Sequence, residues 1–190
     1  ARKIFVGYDY AFGRQRKGGV AQLKELGKLH GFSVHIVGRV KKKGLTVKSS
    51  TIRDLLSRGE FARALDLLGH PYTMTGTVVR GAGRGLILGF PTANLKIAED
   101  KLIPAYGVYV ANVFIKGQKH KSVVNIGSRP TFPKDGVAFE VHILNFSKNV
   151  LGKTLKVELL KRLRSELQFS DVAQLKKRIG QDITKARSLF

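Results

Sequence analysis

Apolar positions follow two different rhythms along this 190-residue chain, and the change falls close to residue 70. Before it, short apolar runs alternate with helical spacing. Ile4-Phe5-Val6 is an unbroken apolar run closed by Gly7, the pattern of a buried strand opening into a loop. Val20, Leu23, Leu26 and Leu29 recur at helical spacing as far as Gly31, which predicts a helix stopped by a glycine. Val34-His35-Ile36-Val37 then reads as a second strand. Strand, loop, helix and strand in that order predict a parallel sheet. Ser49, Ser50 and Thr51 lead into an apolar-periodic segment with Leu55 and Leu56, where serine or threonine can cap a helix start. A second short helix over 61–68 stops at Gly69, and Pro71 closes the helical pattern. The sequence therefore divides into an α/β region over 1–69 and a second region over 70–190.

Beyond that boundary the chain reads as short strands separated by turn residues. Strands are predicted over 73–79, 107–115, 122–126, 138–144 and 155–160, and five or six such strands suggest an antiparallel sandwich or barrel. The chain closes on a helix, because Val172, Leu175, Ile179, Ile183 and Ala186 keep the 3.6-residue period and Ser170 can act as its N-cap. Within one strand, Phe139, Val141 and Ile143 alternate with Glu140 and His142, which places the glutamate and histidine together on the face away from the core.

Composition removes several classes of function. No cysteine is present, so disulfides and thiolate metal sites are excluded. No apolar run is long enough to span a bilayer and no signal-peptide pattern opens the chain, which leads to the expectation of a soluble, cytoplasmic protein. His30, His35, His70, His120 and His142 lack ligand-like spacing and read as structural or surface residues. The formal net charge of +22 points toward polyanions. It is spread evenly, with 15 basic and 5 acidic residues over 1–68 and 20 and 8 over 69–190. Lys41-Lys42-Lys43 is a dense but short block, so opportunistic binding of nucleic acid is expected, with a dedicated role as an alternative.

Candidate chemistry concentrates in 81–94, read Gly81-Ala82-Gly83-Arg84-Gly85-Leu86-Ile87-Leu88-Gly89-Phe90-Pro91-Thr92-Ala93-Asn94. A loop so rich in glycine can approach a bulky anion and present N–H groups to phosphates. No Gly-Lys-Ser/Thr closes it, and Leu88 stands where a dinucleotide fingerprint needs a glycine. In an extended segment Thr92 and Asn94 point to one face, and a hydroxyl beside an amide oxygen suits magnesium. The same residues equally make a glycine-rich hairpin in which Thr92 and Asn94 are ordinary turn residues.

Gly-x3-Gly-x3-Gly-Phe-Pro-Thr-Ala-Asn resembles the signature of the riboflavin kinase family, commonly the C-terminal half of bacterial riboflavin kinase/FMN adenylyltransferase. Phe139-Glu140-Val141-His142-Ile143-Leu144 is similar to that family's Glu-Val-His-Ile-Leu segment, and Asn125-Ile126-Gly127-Ser128-Arg129-Pro130-Thr131 to its Asn-x-Gly-x-Arg-Pro-Thr. The resemblance implies a six-stranded antiparallel barrel with a C-terminal helix, following part of a Rossmann-like nucleotidyltransferase domain. It implies a kinase making FMN from riboflavin and ATP with Mg2+. Glu140 would be the base, Gly81, Gly83, Gly85, Gly89, Pro91, Thr92 and Asn94 would bind ATP, and Thr92 and Asn94 would hold the metal. Asn125, Arg129 and Arg164 would contact the flavin, Arg164 through a similarity of 162–166 to an Arg-x-Glu segment.

Further upstream, Gly7-x-Asp9-x-x-Phe12-Gly13 and Val47-Lys48-Ser49-Ser50-Thr51-Ile52-Arg53 resemble two motifs of the adenylyltransferase half. Asp9, Phe12, Ser49, Ser50, Thr51 and Arg53 are thereby marked as its remnant. That half's His-x-Gly-His motif is absent from these residues, so the chain is expected to be the C-terminal part of the bifunctional enzyme. Lys48 departs from a serine, Leu86-Ile87 from a basic pair, Asn145 from an aspartate and Leu151 from a tyrosine. Two alternatives accompany this reading: a fragment of an enzyme that also makes FAD, and a basic RNA-binding regulator on a kinase scaffold.

Overall fold

The computed structural model describes residues 1–128 and 137–190. Two compact units emerge, Ala1–Lys48 and Ser49–Phe190.

In the first unit, β1 (Lys3–Gly7) and β2 (Ser33–Val37) pair in parallel, with α1 (Val20–His30) between them. This is the strand-helix-strand unit that the hydrophobic pattern predicts. Gly31 ends α1 in the left-handed conformation, at φ 73°, and its N–H bonds the Gly27 carbonyl. Two-residue ladders, 11–12 with 18–19 and 41–42 with 45–46, make up the remaining described pairing of this unit.

The second unit opens with α2 (Ser49–Arg58) and α3 (Phe61–Leu68), which pack on each other and on the barrel that follows. Phe61 meets Tyr109 edge to face at 5.1 Å, and the Ala105 N–H bonds the Leu56 carbonyl at 2.9 Å. These helices therefore cluster with the barrel, and the division between compact units falls at 48/49 where the hydrophobic pattern places it at 69/70. The reason is packing: Leu55, Leu56, Phe61, Ala64 and Leu67 are buried within this unit. Gly69 stops α3 as expected, at φ 80°.

Six strands close the barrel: β3 (Tyr72–Val79), β4 (Ala93–Ile97), β5 (Gly107–Ile115), β6 (Gln118–Ser128), β7 (Val137–Ile143) and β8 (Thr154–Ser165). Their order around the barrel is β6-β7-β4-β3-β8-β5, with every neighbour antiparallel. Closure leaves no free sheet edge to protect. The strand that periodicity does not predict is β4, whose Ala-Asn-Leu-Lys-Ile carries one buried side chain, Leu95. Alternate residues fill the interior, among them Met74, Tyr109, Val124, Phe139, Val141, Leu155 and Leu159.

A single helical turn, α4 (Arg84–Ile87), stands between β3 and β4, and the opposite face of β5 and β6 is covered by α5 (Val172–Arg187). Val108, Val110, Val123 and Leu144 form a second apolar cluster there with Ile183 and Ala186, and Ile179 packs against it. Two expectations for this helix are corrected. Asp171, not Ser170, is the N-cap and accepts a 2.8 Å bond from the Gln174 N–H, since its carboxylate reaches the third helical N–H. Val172 is 65% exposed, because the apolar stripe meets the barrel only from the second turn onward.

Candidate active site

A cleft of about 640 Å³ lies on the outer face of the barrel, between the 81–92 loop, the strand ends and α5. Register explains its floor. Asn94 on β4 faces Glu140 on β7, Glu140 faces Asn125 on β6, Asn125 faces Val108 on β5, and Val108 faces Arg164 on β8. Directly opposed residues in antiparallel strands project to the same side of the sheet, with Cα atoms about 4.5–5.5 Å apart. A continuous row across five strands thus brings two amides, one carboxylate and one guanidinium to a single surface, and all of them line the cleft. An irregularity in β8 between Arg162 and Arg164 aligns Arg164 with this row.

Glu140 is half-buried, and no described residue hydrogen-bonds its carboxylate. Arg164 is differently placed. Its guanidinium donates to Asp182 of α5 at 2.9 and 2.7 Å and to the Ser165 carbonyl at 2.9 Å. Asp182 is itself buried and also lies 3.5 Å from Arg178. A buried carboxylate is tolerated when paired in this way, and the pair ties β8 to α5 at the wall of the cleft. Sequence reasoning missed Asp182, since its partner stands 18 residues away on another element.

Over the row lies the glycine loop, which contains one helical turn, Arg84–Ile87. The N–H groups of Leu86, Leu88, Gly89 and Phe90 close this turn onto Gly83, Arg84, Leu86 and Gly85. Gly89 therefore does not offer its N–H to a ligand, and neither Gly89 nor Pro91 lines the cleft. Gly81, Gly83 and Gly85 do line it, together with Thr92 and Asn94. Close approach explains two of these glycines. A Cβ at Gly81 would stand 2.1 Å from Asn94 Nδ2, and one at Gly85 would stand 2.8 Å from Thr92 Oγ1. Gly83 answers to backbone shape, with φ 69°. The loop thus rests directly on the threonine hydroxyl and the asparagine amide.

Thr92 and Asn94 supply neutral oxygen donors, and no group of three or more His, Cys, Asp or Glu residues that could hold a metal exists among the described residues. A hard cation on Thr92 and Asn94 fits this donor set if phosphate and water complete its shell. Behind them, His142 Nδ1 donates to the Pro91 carbonyl at 2.8 Å, and the Phe90 ring stands edge-on to the imidazole at 6.1 Å. Arg129 lies outside the described residues. Asn125 and Arg164 both line the cleft.

The upstream candidates have their own surroundings. Asp9 accepts a 3.0 Å bond from Lys48, which holds its carboxyl below the usual range. The Phe12 ring packs on Gly18, where a Cβ would come within 2.9 Å of it. Ser49, Ser50, Thr51 and Arg53 form the first turn and a half of α2.

The fold and site are thus a closed six-stranded barrel with a glycine loop over a row of polar side chains. The riboflavin kinase family matches residues 68–190, and the FAD synthetase family matches residues 1–51. The chain belongs to the riboflavin kinase family. Bifunctional riboflavin kinase/FMN adenylyltransferase of Pseudomonas fluorescens is 38% identical over 97% of this chain and 59% of its own length. The Listeria monocytogenes protein of the same name is 34% identical over 98% of this chain and 60% of its own. The chain thus spans about three-fifths of the length of the curated relatives it matches. A crystal structure of a macrolide-efflux protein from Streptococcus pneumoniae is also similar, at 36% identity and a TM-score of 0.84, covering 95% of this chain and 58% of that one. No helix among the described residues is long and apolar enough to cross a membrane.

Proposed function

We propose that the chain transfers the γ-phosphate of ATP to the ribityl 5′-hydroxyl of riboflavin, giving FMN and ADP. The observation that carries this reading is the row Asn94, Glu140, Asn125 beneath the glycine loop. Glu140, whose carboxylate has no described partner, accepts the proton of the primary alcohol as its oxygen attacks the γ-phosphorus. Proton transfer of this kind contributes roughly 10²–10⁴-fold, and the rest of the rate comes from positioning and charge stabilisation. The first half of the loop, through Gly81, Gly83 and Gly85, receives the phosphates. Thr92 and Asn94 would hold Mg2+, which when bound supplies neutralisation of phosphate charge. Asn125 and Arg164 take the flavin side, and Arg129 joins them in this reading.

The Asp182 pair limits what Arg164 does. With three N–H groups already engaged, its part is to shape the flavin wall more than to clasp a mobile ligand. Functionally the kinase belongs to 70–190, and 1–69 is the remnant of an adenylyltransferase domain, with Asp9, Phe12, Ser49, Ser50, Thr51 and Arg53 as its nucleotide-side residues. The match of residues 1–51 to FAD synthetase favours a second reading, in which the chain is part of an enzyme that also adenylylates FMN. The reaction belongs where ATP is, in the cytoplasm, and nucleic acid is bound only through bulk charge.

Incubation with ATP, Mg2+ and riboflavin, with FMN and FAD separated by chromatography, tests the reading. FMN alone is the expected product of this chain. FAD as well would establish adenylylation, and neither product would defeat the kinase assignment in favour of a basic binding protein.

A further inference from the structure

We infer that His142 is a positioning residue for the phosphate side of the cleft: its imidazole takes over the strand pairing that Pro91 interrupts and so fixes Thr92 and Asn94. The inference rests on the phosphoryl-transfer reading of the cleft.

Pairing between β4 and β7 is short, comprising Glu140 with Asn94 and Val141 with Ala93. Continued by the same register, it would set His142 against Thr92 and Ile143 against Pro91. The ladder does not continue, and proline explains why, because Pro91 has no N–H to give. Its carbonyl remains an acceptor on the exposed edge of the turn. His142 Nδ1 donates to it at 2.8 Å, from a strand 51 residues away.

The bond sits at a critical place. Pro91 is the residue before Thr92, and Thr92 Oγ1 lies so close to Gly85 that a single methyl there would come within 2.8 Å. Asn94 is equally hemmed in by Gly81. Small displacements of Pro91 would therefore carry both donors off the glycine loop. Meanwhile the Phe90 ring, edge-on to the imidazole, holds the other side of the turn. His142 also lies two residues from Glu140 on the same face of β7, so one strand carries both the proton acceptor and the latch for the phosphate donors. Nδ1 must carry the proton in this arrangement, which leaves Nε2 as the acceptor nitrogen of the neutral ring.

Comparing His142→Ala with His142→Asn tests the inference, because the asparagine amide can place an N–H near the position of Nδ1. His142→Ala should raise the KM for MgATP and the magnesium needed for half-maximal rate by about tenfold, the scale of one lost hydrogen bond. Its KM for riboflavin should stay unchanged, and His142→Asn should recover most of the loss. A uniform loss for both substrates, an asparagine variant no better than alanine, or unaltered ATP dependence in the alanine variant would overturn the assignment. If the alanine variant does not fold, nitrogen NMR of the unsubstituted protein in mildly alkaline buffer decides: protonated Nδ1 supports the latch, and protonated Nε2 overturns it. Calorimetric titration with MgATP reads the same loss of affinity without turnover. An absence of FMN formation would thus defeat the kinase reading while the ring tautomer and ATP affinity still judge the latch.

Discussion

The two compact units solve the problem of a sheet in opposite ways. In Ala1–Lys48 the described sheet is a single parallel pair, and large apolar side chains remain in solvent on it, with Phe5 68% and Val37 52% exposed. In Ser49–Phe190 the sheet closes on itself, and Tyr109, Val124, Val141 and Leu159 are fully buried. Parallel strands depend on cover from both faces, whereas a closed antiparallel barrel satisfies its own edges and fills its own interior. What the contrast teaches is where precise chemistry can be built. The polar row of the cleft is held by six mutually bonded strands, while Asp9 and Lys48 meet as an exposed pair on loop residues.

The sharpest way to break the comparison is through the buried ion pair. Asp182→Ala leaves Arg164 and Arg178 without their carboxylate, and removing one partner of a buried pair costs about 3–5 kcal/mol. Denaturant unfolding of Ser49–Phe190 should register that loss, and a change below about 1 kcal/mol would show the pair to be dispensable. Slightly smaller is the effect of Leu159→Ala in the barrel core, expected at about 2–5 kcal/mol. Leu29→Ala, at a 77% exposed position of α1, should stay within about 0.5 kcal/mol. Equal costs for these two leucines would erase the distinction between the units.

Next comes the loop. Gly81→Ala forces a methyl into the Asn94 amide, so it should raise the magnesium requirement of FMN formation while Gly83, which meets nothing within 4 Å, tolerates added bulk apart from its backbone conformation. An unaltered magnesium titration for Gly81→Ala would remove Asn94 from the cation side. The smallest effect belongs to Asp9. Its pKa is lowered in the fold, mainly by the Lys48 hydrogen bond, so the stabilisation it brings is present above the ordinary carboxylate range and is lost as pH falls through the lowered value. Lys48→Met should return Asp9 toward its ordinary value in an NMR titration, with the barrel signals unmoved.

Much of this architecture was legible because period and punctuation are local. The strand over 107–115, the helix stops at Gly31 and Gly69, and the shared face of Glu140 and His142 follow from alternation and from glycine chemistry. What escaped depends on partners far along the chain. β4 has a poor apolar pattern and exists because β3 and β7 pair with it. The glycines at 81 and 85 suggest room for a phosphate, yet the side chains nearest to them are Asn94 and Thr92. Arg164 suggests a ligand contact from its motif, but Asp182 holds it, and no local signal marks an aspartate on a helix as its partner. His142 reads as a structural residue, and only the register reveals that its bond to Pro91 stands at the head of the strand carrying Asn94. The high net charge was visible from the outset and gathers at no single site among the described residues.

Proton removal from the attacking alcohol falls to Glu140, and single-turnover formation of FMN by the Glu140→Gln variant measures that role directly. The amide keeps the shape of the carboxylate but cannot accept the alcohol proton, so the rate should fall by about 10²–10⁴-fold with ATP affinity and unfolding midpoint unchanged. An undiminished rate in a folded, ATP-binding variant would contradict the assignment of Glu140 as the base.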